Sequence, residues 1–195
     1  MDERELIKAA QKGDFEAFST LISGHKERIY RLALKLTGNR EDAEDIVQET
    51  FLKAIDKIDK FRMESSFGTW LYSIALNHFR ADAVKDKRMD LKPIEEYLPS
   101  SHSDGAINLF DWGDPHEHFE KKQIMEIIET GLAEMRHIYS TPFILRYFED
   151  MPVKEVAETL KLSIPATKSR ILRARLELRD RLSQAFQEKS SGKVQ

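Results

Sequence analysis

The feature that most restricts this chain is a set of apolar residues spaced by three and four: Ala43, Ile46, Val47, Thr50, Phe51, Ala54, Ile55 and Ile58. A helix brings residues with that spacing onto one face. Asp45, Gln48, Glu49, Leu52 and Asp56 then fall on the opposite face. Similar spacing recurs on both sides of this run, and no period-two alternation is long enough for a useful strand, so the chain reads as all-α. Glu5 to Ser23 and His25 to Thr37 are expected as two helices, the second stopping at Gly38-Asn39. Residues 59–66 break the period and read as a loop. A helix is expected from near Phe67, carrying Trp70, Leu71, Ile74, Ala75 and His78 before it runs into Arg80, Lys85, Lys87 and Arg88. Trp70 shares helical spacing with Ile74, which assigns it to the core. Two more helices are expected over Phe119 to Met135 and Ile138 to Phe148.

Between Asp86 and Asp114 the periodicity stops, and Pro93, Pro99, Gly105, Gly113 and three serines take its place. This segment reads as a flexible linker between two small helical domains, with residues 107–112 a short apolar stretch that docks on a neighbouring domain. The expected division is a first domain over 1–88, a linker over 89–115, a second domain over 116–187 and a polar tail over 188–195. Charge follows the same division. The whole chain is net -3, yet residues 61–92 are net +2, residues 93–134 net -8 and residues 135–195 net +5. Two basic regions flanking an acidic one point to a nucleic-acid partner that the overall charge conceals.

Several functional classes are excluded by what the sequence lacks. There is no cysteine, which removes disulfides, thiol catalysis and cysteine-ligated zinc. No apolar run approaches the roughly 18 residues of a membrane span, and the acidic N-terminus does not resemble a secretion signal. A cytoplasmic protein with no membrane insertion is expected. His116 and His118 cannot share a helix face, and with His102 they offer no evident third ligand, so no metal and no cofactor are expected. No carboxylate pair adjoins a nucleophile or a glycine-rich phosphate loop, and no enzyme chemistry is expected.

From Pro152 onward the pattern is that of a helix-turn-helix. Val153, Val156, Ala157 and Leu160 form the apolar stripe of a first short helix, with Ala157 small enough for a close helix crossing. Lys161-Leu162-Ser163 is a tight turn in which Leu162 plugs the core and Ser163 caps the next helix. Pro165 lies in the first turn, where its missing N–H costs little. Thr167, Ile171, Ala174, Leu178 and Leu182 form the buried stripe of the second helix. Pro165, Lys168, Ser169, Leu172 and Arg173 occupy another stripe near the N-terminal half, the half that enters a major groove. Arg170, Arg175 and Arg179 flank it and suit phosphates.

Three segments resemble the extracytoplasmic-function group of bacterial sigma-70 factors. Residues 42–51, Asp-Ala-Glu-Asp-Ile-Val-Gln-Glu-Thr-Phe, resemble its polymerase-binding helix. Residues 67–77 resemble its promoter-melting and −10-reading segment, and residues 168–175, Lys-Ser-Arg-Ile-Leu-Arg-Ala-Arg, its −35-reading helix. The resemblance implies core RNA polymerase, promoter DNA and an anti-sigma factor as partners. It implies polymerase contact by Asp42, Asp45, Gln48, Glu49, Leu52 and Asp56, with the acidic groups pairing to basic ones around Leu52. It implies a pocket for a flipped −10 base over residues 61–66, including Phe61, Arg62 and Ser65, with Asn77 and Arg80 contacting neighbouring positions. Lys85, Lys87 and Arg88 would hold phosphates. The −35 set comprises Ser163, Pro165, Lys168, Ser169, Arg170, Leu172, Arg173 and Arg175.

This chain departs from the family pattern in three places. Lys161 stands where the turn usually offers glycine. Pro165-Ala166-Thr167 replaces the usual Gly-Thr-Val, so Thr167 needs a backbone acceptor for its hydroxyl. A Leu-Pro that often precedes the second domain's middle helix is absent, with Met135-Arg136 nearby. The rival reading is a conventional helix-turn-helix regulator that binds an operator directly. It accounts for the last 60 residues but predicts neither the acidic face around Asp45 nor a second basic helix over 77–88.

Overall fold

The computed structural model describes residues 2–85 and 121–191, without the side chains of residues 81–85 and 188–191. Among the described residues there are eight α-helices and no strand: α1 (Glu3–Gln11), α2 (Phe15–Thr37), α3 (Arg40–Lys57), α4 (Phe67–Lys85), α5 (Lys121–Glu134), α6 (His137–Tyr147), α7 (Val153–Leu160) and α8 (Ile164–Ser191). A single 3₁₀ turn, Ile58–Lys60, follows α3.

The first helix break falls at residues 12–14, not at Gly24 as the sequence reading had it. Gly13 takes φ +91°, a conformation that side chains disfavour. Asp14 then caps α2, its Oδ1 accepting the Ala17 N–H at 3.0 Å. Gly24 is carried inside α2, where one glycine costs roughly 1 kcal/mol relative to alanine. The expected stop at Gly38-Asn39 holds. Gly38 is left-handed at φ 65°, and the Asn39 side chain accepts the Glu41 N–H at 2.8 Å to start α3.

Helices α1 to α4 form one packed group and α5 to α8 a second, and the two groups lie directly against each other. Helix α4 packs on α7, while α2 packs on α5 and α6. Buried residues from both groups belong to one continuous core that includes Ile29, Leu32, Phe67, Leu71, Ile144, Leu145 and Val156. In the second group, Gly131 lets α5 approach α8. A Cβ there would lie 2.8 Å from Leu178 Cδ2.

Candidate nucleic-acid and partner interface

Helix α3 divides as its period requires. Ala43, Ile46, Val47, Thr50 and Ala54 are buried against the rest of the first group. Asp42, Asp45, Gln48 and Asp56 are exposed, Glu49 is half-exposed and bonded to Lys53 at 3.5 Å, and Leu52 is 51% exposed among them. An exposed leucine ringed by acids is what a contact with an apolar patch and basic rim needs. Two residues of the expected buried stripe differ: Phe51 is only half-buried, and Ile55 is exposed. Ile55 therefore extends the apolar patch at the end of the acidic face.

The loop after α3 is anchored by aromatic rings. Phe61 is buried, its ring stacked on Trp70 at 4.8 Å, and Phe67 packs edge-on against Phe61 at 5.8 Å. Phe61 thus corrects the expectation of a residue facing DNA: it holds the base of the loop in the core. Gln11 secures the same point by donating to the carbonyls of Ile58 and Phe61 at 3.0 and 2.8 Å. Arg62, Glu64, Ser65 and Ser66 stay exposed, and Met63 adopts φ 57°. Ser66 caps α4, its Oγ accepting the Thr69 N–H at 3.0 Å. Trp70 lies against the core as expected. Asn77 is exposed. Lys85 closes α4, whereas Lys87, Arg88, the apolar stretch 107–112, His102, His116 and His118 lie outside the described residues.

The helix-turn-helix forms from α7 and α8. Val156, Ala157 and Leu160 are buried, and Lys161 adopts the left-handed conformation at φ 55°, ψ 44° where the family pattern has glycine. The Leu162 N–H bonds the Ala157 carbonyl at 2.9 Å, closing α7, and Leu162 packs partly into the core. Ser163 Oγ accepts the Ala166 N–H at 3.3 Å, the expected cap. Thr167 finds the acceptor it needs, donating its hydroxyl to the Ser163 carbonyl at 3.0 Å. The stripe Thr167, Ile171, Ala174, Leu178 and Leu182 is buried throughout. Pro165, Lys168, Leu172 and Arg173 are exposed and Ser169 is half-exposed, which leaves the expected groove-reading stripe on the surface. Arg175 is half-buried, and Arg179 is exposed and bonds Asp180 at 2.9 Å.

Two arginines do something the sequence did not disclose. Arg80 of α4 and Arg170 of α8 line the same cavity, of about 210 Å³, between the two groups of helices. Arg80 donates to the Leu160 carbonyl at 3.4 Å. Burial lowers its pKa, and the neighbouring Arg170 charge lowers it further. Burial lowers the Arg170 pKa as well, and its Nε is buried without a hydrogen-bond partner.

The rest of the seam is polar and specific. The Tyr72 hydroxyl donates to the buried carboxylate of Glu149, with Arg28 Nη2 3.8 Å from the same oxygen. Thr69 donates to Glu155 at 3.2 Å, Lys35 lies 3.5 Å from Glu129, and the Phe79 ring meets His137 edge-on at 4.9 Å. Burial raises the Glu149 pKa, against the opposing effects of the Tyr72 hydrogen bond and of Arg28, Arg31 and Lys35. The Tyr72 hydroxyl is pushed well above its ordinary range, by burial first and then by Glu149. The sequence signal for this seam was the composition of α4, whose apolar face is wide: Phe67, Leu71, Tyr72, Ile74, Ala75, Leu76 and Phe79 are all buried, and Asn77 is exposed on the remaining side. An apolar face that wide needs cover from more than one direction.

These surfaces define a two-part helical protein whose second part is a helix-turn-helix. The families described as Sigma-70 region 2 and Sigma-70, region 4 match residues 21–88 and 125–178. The chain is 30% identical over 186 residues to the ECF RNA polymerase sigma factor SigW of Bacillus subtilis, covering 92% of this chain and 96% of that protein. It is 29% identical over 177 residues to the ECF RNA polymerase sigma-E factor of Haemophilus influenzae, covering 90% and 92%. Among solved structures it is similar to CnrH in complex with the cytosolic domain of CnrY. That match has a TM-score of 0.66 and 24% identity, over 94% of this chain and 99% of that one. It is also similar to the sigma factor RpoE of Bartonella quintana in complex with the anti-sigma factor NepR, with a TM-score of 0.60 and 23% identity, over 85% and 96%. The chain belongs to the extracytoplasmic-function group of RNA polymerase sigma factors. It binds core RNA polymerase and directs promoter-specific initiation. The region 2 match covers residues 21–88, which a direct operator-binding regulator does not predict, so that reading is not favoured. No helix among the described residues is long and apolar enough to cross a membrane.

Proposed function

We propose that the first domain, over 1–88, contacts polymerase through α3 and the −10 element through the 62–66 loop, Asn77, Arg80 and the basic end of α4. The second domain, over 116–187, reads the −35 element through Lys168, Ser169, Leu172 and Arg173, while Arg170 and Arg175 hold phosphates. The observation that carries this reading is the exposed Leu52 set among Asp45, Gln48 and Asp56, on a helix whose other face is buried at Ala43, Ile46, Val47, Thr50 and Ala54. The chain acts in the cytoplasm, catalyses no reaction itself, and an anti-sigma factor controls its access to polymerase. The solved CnrH and RpoE complexes, each with a protein partner, support that last point through their similarity of fold.

The described arrangement is a closed one and opens before promoter engagement. Elements about 25 base pairs apart lie roughly 85 Å apart along B-DNA, at about 3.4 Å per pair. Arg80 and Arg170, assigned to opposite elements, instead border one cavity. The two sets of contacts are incompatible with this closeness.

The test is co-elution of the purified full chain with bacterial core RNA polymerase on a sizing column. Stable co-elution abolished by Asp45→Lys with Glu49→Lys, in a variant that keeps its helical circular dichroism, is the expected result. Absence of co-elution by the folded wild-type chain overturns the reading.

A further inference from the structure

The cavity between α4, α6, α7 and α8 has a chemical character that promoter recognition does not explain in the closed state. It is bordered by Arg80, Arg170, His137 and Thr141, with Phe79, Ile138, Pro142 and Leu160 as apolar walls. Among the described residues no carboxylate bonds either guanidinium. Arg80 reaches only one carbonyl, at 3.4 Å, and the buried Nε of Arg170 reaches nothing. Two like charges partly withdrawn from water beside apolar walls oppose closure, and an unmet buried donor at Arg170 Nε adds to the cost. Yet the seam around them is well formed, with Tyr72 on Glu149 and Thr69 on Glu155. A group that neutralises both arginines would remove this conflict.

We propose that the cavity binds a small phosphate-bearing anion, which bridges Arg80 and Arg170 and favours the closed arrangement of the two domains. Guanidinium groups match phosphate oxygens in paired hydrogen bonds, and the apolar walls strengthen such pairs by excluding water. A volume of about 210 Å³ accommodates one or two phosphate groups and falls below the roughly 300 Å³ at which drug-sized pockets begin. The anion therefore acts as a closing effector: it occupies arginines that must be released for DNA.

The chain has no cysteine, so Lys12→Cys and Gln184→Cys, both at exposed positions, allow one label on each side of the seam in the full chain. The distance between labels is followed as inorganic pyrophosphate is added, with sodium chloride at equal ionic strength as the reference, and binding is measured by calorimetry. Saturable one-to-one binding with a rise in the closed population is expected. Affinity should fall by about tenfold or more in Arg80→Gln and Arg170→Gln, and remain unchanged in Lys154→Gln. Arg170→Gln also removes one of the like charges, so it should be more closed than wild type before any anion is added. Circular dichroism melts establish that each variant is folded. Absence of binding, equal closure by sodium chloride, or unchanged affinity in both arginine variants overturns the proposal. Closure produced by a short DNA duplex to the same extent would assign the site to nucleic-acid backbone and also overturn it.

Discussion

Helices α4 and α8 both carry basic residues assigned to promoter DNA, yet they are built in opposite ways. Helix α8 has one buried stripe from Thr167 to Leu182 and leaves Lys168, Leu172 and Arg173 in solvent. Helix α4 buries two sides, one against its own domain and one against α7 of the other domain, and leaves Asn77 exposed between them. The difference separates two settings for residues assigned to DNA. One presents its assigned residues on the surface, whereas the other has Asn77 exposed but Arg80 set in the seam against the second domain.

The sharpest way to break this comparison is at the start of α4. Phe67 is 1% exposed, and its ring meets those of His25, Phe61 and Trp70. Phe67→Ala should cost about 3–5 kcal/mol in a denaturant melt. Lys168→Ala, on the exposed stripe of α8, should stay within about 0.5 kcal/mol. Comparable losses would mean that the exposed stripe of α8 also packs against something.

A smaller effect tests the seam. Tyr72→Phe keeps the packing but removes the donor from the buried Glu149 carboxylate, and hydrogen bonds to charged groups contribute about 1.5–3 kcal/mol. The loss should appear as opening between labelled domains, with each domain still helical. The pH response has a definite sign. Burial raises the Glu149 pKa, so the closed state holds this proton more tightly than the open state does. Its contribution to closure is full below the ordinary carboxylate range and is lost as pH rises through the raised value. Closure should therefore increase on acidification toward that range, and Glu149→Gln should flatten the response. An unchanged slope in Glu149→Gln would assign the titration to another group.

How much of this was legible in the sequence follows from where the contacts run. The helix-turn-helix was readable almost residue by residue, because caps, stripe and turn are local: Ser163 caps within three residues, and Thr167 bonds four residues back. The acidic face of α3 was readable for the same reason, apart from Ile55, whose periodic position said nothing about how far the covering helices extend. The break falls at Gly13-Asp14 because Asp14 supplies a cap there, whereas Gly24 has none and stays inside α2. Beyond the wide apolar face of α4, the pairings of the seam were not legible. Tyr72 and Glu149 are 77 residues apart, and nothing in either local pattern names the other. Phe61 was misassigned because a family role for its loop says little about which ring in that loop turns inward.

On the α8 side of the comparison, Arg173→Ala should leave stability unchanged and weaken −35 binding by about 1–3 kcal/mol, with relaxed preference at one base position. Binding measured across a set of substituted promoters checks this. An equal loss on every sequence would move Arg173 from a base edge to a phosphate.

The smallest effect concerns the turn that aims α8. Lys161 sits at φ 55°, ψ 44°, where a Cβ crowds the following carbonyl at a cost of roughly 1–2 kcal/mol. Glycine avoids that crowding but gives the unfolded chain more freedom, which offsets roughly 0.5–1 kcal/mol of the gain. Lys161→Gly should therefore stabilise the second domain by about 0.5–1 kcal/mol. The turn's bonds, Lys161 N–H to Glu158 and Leu162 N–H to Ala157, are backbone bonds and survive the change. Because Lys161 is exposed and outside the groove-reading stripe, −35 sequence preference should not move. A shift in preference would show that the lysine, beyond completing the turn, touches DNA; a loss of stability would show that its side chain supports the turn.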